Sequence, residues 1–339
     1  MVKKKDQQKR LEDYRAQIRT KNLSHSVISK RCSHCGSEEY CKDGSRKTKY
    51  KGKIRVYRCK KCRRKFSLDP FPRTHFPLWV YEKILRLSAE GNRAKAIAEE
   101  IEASAMEKGI DLHISPATVL YIFKDMVTLM VKIEDEYHHQ VLANEWQIDD
   151  CYQRLPHRQW AYITNVLAVD TRYWLSSSVS FKRDTDGSKE ALEQSVRRSG
   201  YFPIEIRCDG WRGHAAAIKQ VLKHVHNDHR SKKKKKKNYS IVNYTERLNR
   251  TMRRVILKGK TFPTEELLQA YTDLKRLQYN FLEKHKSLGK KTPAEAAGIQ
   301  LTIKNWKDMI KLAIQYKKRS RRTRRMTLHQ FVQDILKIS

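Results

Sequence analysis

Three acidic residues, far apart in the sequence, stand where metal-dependent chemistry would need them. Asp149 ends a segment of alternating polarity, Asp209 ends a short apolar segment, and Glu246 lies on a helix predicted to begin near residue 242. Strand ends in an α/β sheet can lie side by side. Two divalent ions about 3.5–4 Å apart can activate an attacking oxygen and stabilise a leaving one. Carboxylates suit Mg²⁺ or Mn²⁺, so the three together predict such a site, although each alone would be read as a surface group.

The residues that follow these acids suit contact with a phosphate backbone. Asn249, Arg250 and Arg253 lie three, four and seven positions after Glu246 and share its helix face. Trp211 follows the second acid and can stack on an unpaired base, although an aromatic residue at a strand-to-helix corner more often packs.

The elements that must position these residues follow a recognisable order. Strands are predicted at 145–149, 160–169, 173–181 and 204–208, with helices at 185–199 and 214–223. Three strands in series, followed by alternating helix and strand, predict an α/β, RNase H-like domain with a mixed five-stranded sheet.

Four of the seven cysteines form two Cys-x-x-Cys pairs, Cys32 with Cys35 and Cys59 with Cys62. Such pairs aim their thiolates at one tetrahedral ion, so residues 31–68 are predicted to be a zinc ribbon with one structural Zn²⁺. Cys41 and His34 are weaker candidates as ligands. The odd cysteine count argues against a disulfide framework and favours a reducing compartment.

Helical periodicity follows at 77–140, after a Pro-rich segment. Ser115 and Pro116 suit the N-cap and first position of the third helix. Three short helices beside a zinc ribbon predict a helix-turn-helix, with Thr118, Tyr121 and Lys124 as groove contacts. Helices that only pack together are the alternative.

Charge indicates the partner. The 73 Lys and Arg against 37 Asp and Glu leave +36, which attracts polyanions. Nucleic acid is the expected partner, and an RNA binder would fit the charge as well as a binder of double-stranded DNA. No apolar run approaches the roughly 20 residues of a membrane span, and no signal peptide precedes the basic start. We expect a cytoplasmic, nucleoid-associated protein.

The acidic residues lie in blocks that resemble the signatures of DDE transposases from bacterial and archaeal insertion sequences. The blocks are Trp146-Gln-Ile-Asp149, Ile206-Arg-Cys-Asp209-Gly-Trp211, Asn243-Tyr-Thr-Glu246-Arg-Leu-Asn249 with Arg253, and a tail with Gln278-Tyr-Asn280, His285, Leu288-Gly289 and Thr292-Pro-Ala-Glu-Ala-Ala-Gly298. The resemblance covers roughly 143–299 and implies that Asp149, Asp209 and Glu246 bind two Mg²⁺ or Mn²⁺. It also implies that Arg253 is the basic residue two helical turns after the Glu.

Two features depart from that pattern. Asp150 stands where many relatives have Glu, which leaves open whether Asp149 or Asp150 is the ligand, although the family register favours Asp149. Lys232–Lys237 has no counterpart, and a solvated loop and a DNA contact are equally plausible. A basic arm at 1–30 and a basic helical extension at 300–339, suited to DNA clamping or subunit contact, complete the predicted organisation.

The resemblance implies an enzyme that binds the ends of its insertion sequence and catalyses metal-dependent 3′-end cleavage and strand transfer into target DNA. Two ends must be joined, so a homodimer or higher oligomer is expected. The alternatives are an inactive or domesticated DNA-binding relative, a zinc-ribbon transcription factor and a simple RNase H-like nuclease.

Overall fold

The computed structural model describes residues 32, 34–67, 74–137, 143–155, 160–223, 226–229, 243–257, 261–299 and 303–320. The predicted arm at 1–30, the run Lys232–Lys237 and the segment after residue 320 lie outside these ranges. The chain divides into two compact units. The first comprises the described parts of 1–84, 94–123 and 307–339, and the second those of 85–93 and 124–306.

The first unit contains a small antiparallel sheet. Its strands are β1 (Tyr40–Thr48), β2 (Gly52–Cys59) and β3 (Lys65–Phe66), in that order. Gly52 has a φ of 64°, which lets the chain turn between the first two strands. Tyr40, Tyr57 and Phe66 pack with the buried Cys32 and Cys59. The predicted strand near 53–57 is confirmed as β2, whereas β1 was not predicted.

Helices follow in the order that periodicity predicted. They are α1 (Leu78–Ala89), α2 (Ala94–Met106) and α3 (Pro116–Tyr137). The Ser115 hydroxyl accepts the Thr118 N–H at 3.2 Å, so the predicted N-cap and first-turn proline are confirmed. In the first unit the buried apolar side chains include Val80, Ile84, Ile97, Ile101, Val119 and Ile122. No helix in the described ranges is both long and apolar enough to cross a membrane.

The second unit is built on a mixed sheet. Its strands are β4 (Glu145–Arg154), β5 (Trp160–Ala168), β6 (Trp174–Ser180), β7 (Glu205–Cys208) and β8 (His226–His229), in the order β6-β5-β4-β7-β8. The first three pair antiparallel, while β4–β7 and β7–β8 pair parallel. The predicted mixed sheet is confirmed. The prediction that the first strand ends at Asp149 is wrong, because β4 continues to Arg154 by pairing with β5.

Helices cover both faces of this sheet. They are α4 (Thr185–Ser199), α5 (Arg212–Val221), α6 (Asn243–Met252) continued by a π-helical turn at Arg253–Leu257, α7 (Glu265–Phe281) and α8 (Pro293–Ala296). A last helix, α9 (Trp306–Ser320), lies in the predicted helical extension and buries Met309, Ile310 and Ala313. The helix predicted at 185–199 is confirmed by α4.

Helix α7 closes the outer edge of the sheet. Asn280 accepts from the Trp174 N–H and donates to the Trp174 carbonyl, both at 2.9 Å. It thus provides the backbone groups of β6 with the hydrogen bonds that a neighbouring strand would make. Gln269 does the same for the Val179 N–H and the Ser177 carbonyl. An open edge strand exposes unpaired backbone groups, and these two amides cover part of it. The tail motif ending in Asn280 therefore has a structural role.

Candidate active site

Asp149 and Asp209 meet where two parallel strands stop pairing. The last pair between β4 and β7 joins Ile148 to Cys208, and each acid is the next residue in the chain. The parallel register therefore brings both carboxylates to one edge. One ligand atom each from Asp149, Asp209 and His214 lie within 4.8 Å of one another. This spacing suits ligands of a single cation.

The electrostatics of the cluster favour a positive ion. Burial and then repulsion from Asp209, Asp150 and Glu246 raise the pKa of Asp149 from 3.8 to about 7. At neutral pH the carboxylate is thus held at a free-energy cost that a proton or a bound cation would relieve. Carboxylate oxygens are the donors that Mg²⁺ and Mn²⁺ prefer.

Glu246 lies on the exposed side of α6, which packs against β4. It is near enough to raise the pKa of Asp149, but it does not belong to the set of ligand atoms within 4.8 Å. The structure therefore brings two of the three predicted acids to coordination distance and places the third on the helix that covers them.

Asn249 orients Asp149 from the same helix. Its amide nitrogen donates to Asp149 Oδ2 at 2.9 Å, and its amide oxygen accepts from Asn165 at 2.8 Å. Only 1% of Asn249 is exposed. This corrects the expectation of a DNA contact, since the bonded amide is directed into the protein.

A second network lies on the opposite face of β4, because adjacent strand residues alternate in direction. Asp150 Oδ1 accepts from Thr164 at 2.7 Å, and Asp150 Oδ2 accepts from Arg183 Nε at 3.3 Å. His214 is fully buried, with Nδ1 2.9 Å from Ser188 Oγ and Nε2 3.8 Å from Asp209 Oδ1. Its Nε2 has no hydrogen-bond partner among the residues that the structure describes. The sequence analysis did not assign His214; its position five residues after Asp209 was the available signal.

Trp211 is held in place by packing. Its ring lies 4.7 Å from the His214 ring, edge to face, and the Arg183 guanidinium is 4.4 Å from its centre. A Cβ added to Gly213 would come within 2.3 Å of the indole, so only glycine fits beneath it. Trp211 thereby supports the helix that carries His214.

The remaining predicted DNA contacts lie on helical surfaces. Arg250 and Arg253 are exposed, and Arg253 lies 5.7 Å from the Tyr152 ring centre. Tyr121 is 70% exposed and Lys124 is exposed on α3, while Thr118 is half-buried at its start.

The four cysteines of the two pairs come together in the first unit. Their sulfurs lie within 4.8 Å of one another, with 3.7 Å between Cys32 and Cys62 and 3.5 Å between Cys35 and Cys59. A tetrahedral ion with bonds of about 2.3 Å requires sulfur separations of roughly 3.8 Å. The Cys62 N–H donates to Cys59 Sγ and contributes most to lowering the pKa of Cys59 to about 6. Cys41 lies outside the cluster and contacts the Arg58 carbonyl.

Comparison with known proteins gives three findings. A family model described as a DDE domain matches residues 143–293. No curated protein matches the sequence. Among solved structures, the chain is similar to the cryo-EM structure of the simian T-cell lymphotropic virus intasome with PP2A regulatory subunit B56 gamma, at 13% identity and a TM-score of 0.37 over 63% of this chain and 77% of that one. It is also similar to the catalytic core domain of BIV integrase, at 14% identity and a TM-score of 0.31 over 45% and 93%.

Proposed function

We propose that this chain is a transposase that cleaves the 3′ ends of its element and joins them to target DNA, and the match of residues 143–293 to the DDE domain model supports this proposal. The observation that carries the proposal is the convergence of Asp149 and Asp209 at the end of β7. A bound cation would offset the repulsion between these carboxylates. The proposed ligands are Asp149, Asp209 and Glu246. When bound, Mg²⁺ or Mn²⁺ would supply activation of the attacking oxygen and stabilisation of the leaving one.

The protein's own groups would position that chemistry. Asn249 fixes the orientation of the Asp149 carboxylate by donating to one of its oxygens. His214, braced by Ser188, is proposed as a positioning residue for Asp209. Arg250 and Arg253 are proposed to hold the DNA backbone, because both cations are exposed on or just after the helix that carries Glu246.

The first unit is proposed to recognise the ends of the element. The four clustered cysteines would hold one structural Zn²⁺, since four thiolates leave no open coordination position. Thr118, Tyr121 and Lys124 of α3 would contact the duplex as part of a helix-turn-helix. Two ends must be brought together, so we propose a dimer or larger assembly.

The test is a strand-transfer assay with Mg²⁺, the full chain and duplexes from the DNA that flanks its gene. Asp149→Ala, Asp209→Ala and Glu246→Ala should each reduce joining to background while end binding persists. Glu193→Ala removes an exposed acid of α4 and should join as the parent does. Normal joining by any of the three variants would remove that residue from the site. Metal-independent binding without joining by the parent would favour the non-catalytic relative.

A further inference from the structure

Beyond the acidic cluster, the pair of strands β4 and β5 extends past the end of β7. Pairing between β4 and β7 stops at Ile148, whereas pairing with β5 continues to Arg154. Three aromatic side chains share one face of this extension. Tyr152 pairs directly with Tyr162, and Trp160 lies two residues from Tyr162 on the same side. We call Tyr152, Trp160 and Tyr162 the aromatic surface.

The aromatic surface is open to solvent. Tyr152 is 49% exposed and Trp160 is 41% exposed. Their ring centres are 6.4 Å apart, and the rings of Trp160 and Tyr162 are nearly parallel at 24° and 6.3 Å. Contiguous exposed apolar side chains mark interaction sites in soluble domains. The sheet thus presents flat rings that nothing in the described part of the chain covers completely.

Two arginines flank these rings. Arg183 and Arg253 lie 6.0 and 5.7 Å from the centre of Tyr152. Arg183 also binds Asp150, next to the first metal-binding acid. Tyr152 lies two residues after Asp150 on the same face of β4, about 7 Å along the strand, and this is the face opposite to Asp149. The aromatic surface and its two cations therefore lie next to Asp150, where β4 extends past the acidic cluster.

We propose that the aromatic surface stacks unpaired DNA bases on the part of the sheet that extends past the acidic cluster. The inference rests on the proposed function, and it assigns to that site a single-stranded segment of its substrate. Every base offers a π face, so stacking requires no particular sequence, and Arg183 and Arg253 neutralise the adjacent phosphates. A protein partner would not need these two cations at the rim of the rings.

The experiment measures binding of the full chain, without Mg²⁺, to two end duplexes. One is fully paired, and the other carries unpaired flanking nucleotides with 2-aminopurine. Trp160→Ala and Tyr152→Ala should each weaken binding of the unpaired duplex by roughly fivefold to 150-fold and restore 2-aminopurine fluorescence. Binding of the paired duplex should change much less. Trp160→Phe should retain both properties, because it keeps a stacking ring.

The control is Phe202→Ala, which removes a 52% exposed aromatic residue before the opposite end of β7. It should leave both affinities unchanged. Equal losses on both duplexes, or no loss at all, would overturn the proposal. Conversion of an oligomer to monomers by Trp160→Ala in sedimentation would also overturn it and identify a subunit interface. Since no metal is present, the result is independent of whether Asp149→Ala abolishes joining.

Discussion

Replacement of Asp149 by Asn should stabilise the metal-free protein while abolishing strand transfer. The folded chain holds this carboxylate among Asp209, Asp150 and Glu246, and burial and repulsion raise its pKa from 3.8 to about 7. An acid with a raised folded pKa favours folding when protonated, and that stability is lost as the pH rises from about 4 to 7. Asn keeps an oxygen that can accept the Asn249 amide, but it carries no charge.

The magnitude follows from the same shift. Between pKa values of 3.8 and about 7, linkage gives an ionisation penalty of about 4 kcal/mol at pH 8 and about 1.7 kcal/mol at pH 5. These are upper limits, since the neighbouring acids also titrate and local opening admits water. We therefore expect Asp149→Asn to raise the free energy of unfolding by about 2–4 kcal/mol at pH 8 and by less than half that at pH 5.

The assay is urea unfolding at pH 8 and pH 5 in buffer without added divalent metal, which leaves any bound zinc in place. Glu193→Gln, at an exposed acid, serves as the matched control. Mg²⁺ should then stabilise the parent and have little effect on Asp149→Asn, because it would neutralise the same repulsion. Equal stabilisation at both pH values, or a less stable variant at pH 8, would refute the electrostatic account.

Three further outcomes are expected. Gly213→Ala should lower stability by about 1–3 kcal/mol in urea, because its Cβ would lie 2.3 Å from the indole, and Trp211→Ala added to it should recover most of the loss. Glu134→Ala should cost about 3–5 kcal/mol in the same assay, because it leaves the buried Arg276 guanidinium without its closest partner. Cys59→Ser should abolish zinc binding in elemental analysis; full zinc occupancy would contradict the four-cysteine site.

Much of the second unit could be predicted because its local sequence patterns agree with its contacts. Helix α4 begins and ends where its apolar residues and the following Gly200 indicate. The sequence analysis predicted that strand β4 ends at Asp149, because its continuation to Arg154 depends on antiparallel pairing with β5. Strand β1 is mostly polar and exposed, so its sequence carries little alternation; pairing with β2 makes it a strand.

The sequence placed side chains on single elements but could not show what they face across the sheet. Asn249 was correctly put on the face of Glu246, yet its hydrogen bonds go inward to Asp149 and Asn165. His214 resembles an isolated histidine in the sequence because its partners Ser188 and Asp150 come from other segments. The contacts of the Gln269 and Asn280 amides with β6 could not be predicted either, because no local sequence pattern identifies an edge strand.

The adjacent acids of β4 illustrate how the fold separates two chemically similar groups. Asp150 is 5% exposed and is paired inside the protein with Arg183 and Thr164. Asp149 accepts a hydrogen bond from the neutral Asn249 amide and is repelled by other acids. Its negative charge is therefore less well neutralised than that of Asp150. A metal ligand must keep a negative oxygen available, and the Arg183 guanidinium would compete for it. Pleat direction alone thus supports Asp149 over Asp150 as the proposed ligand, because it turns one acid toward the arginine and the other toward the open edge beyond β7.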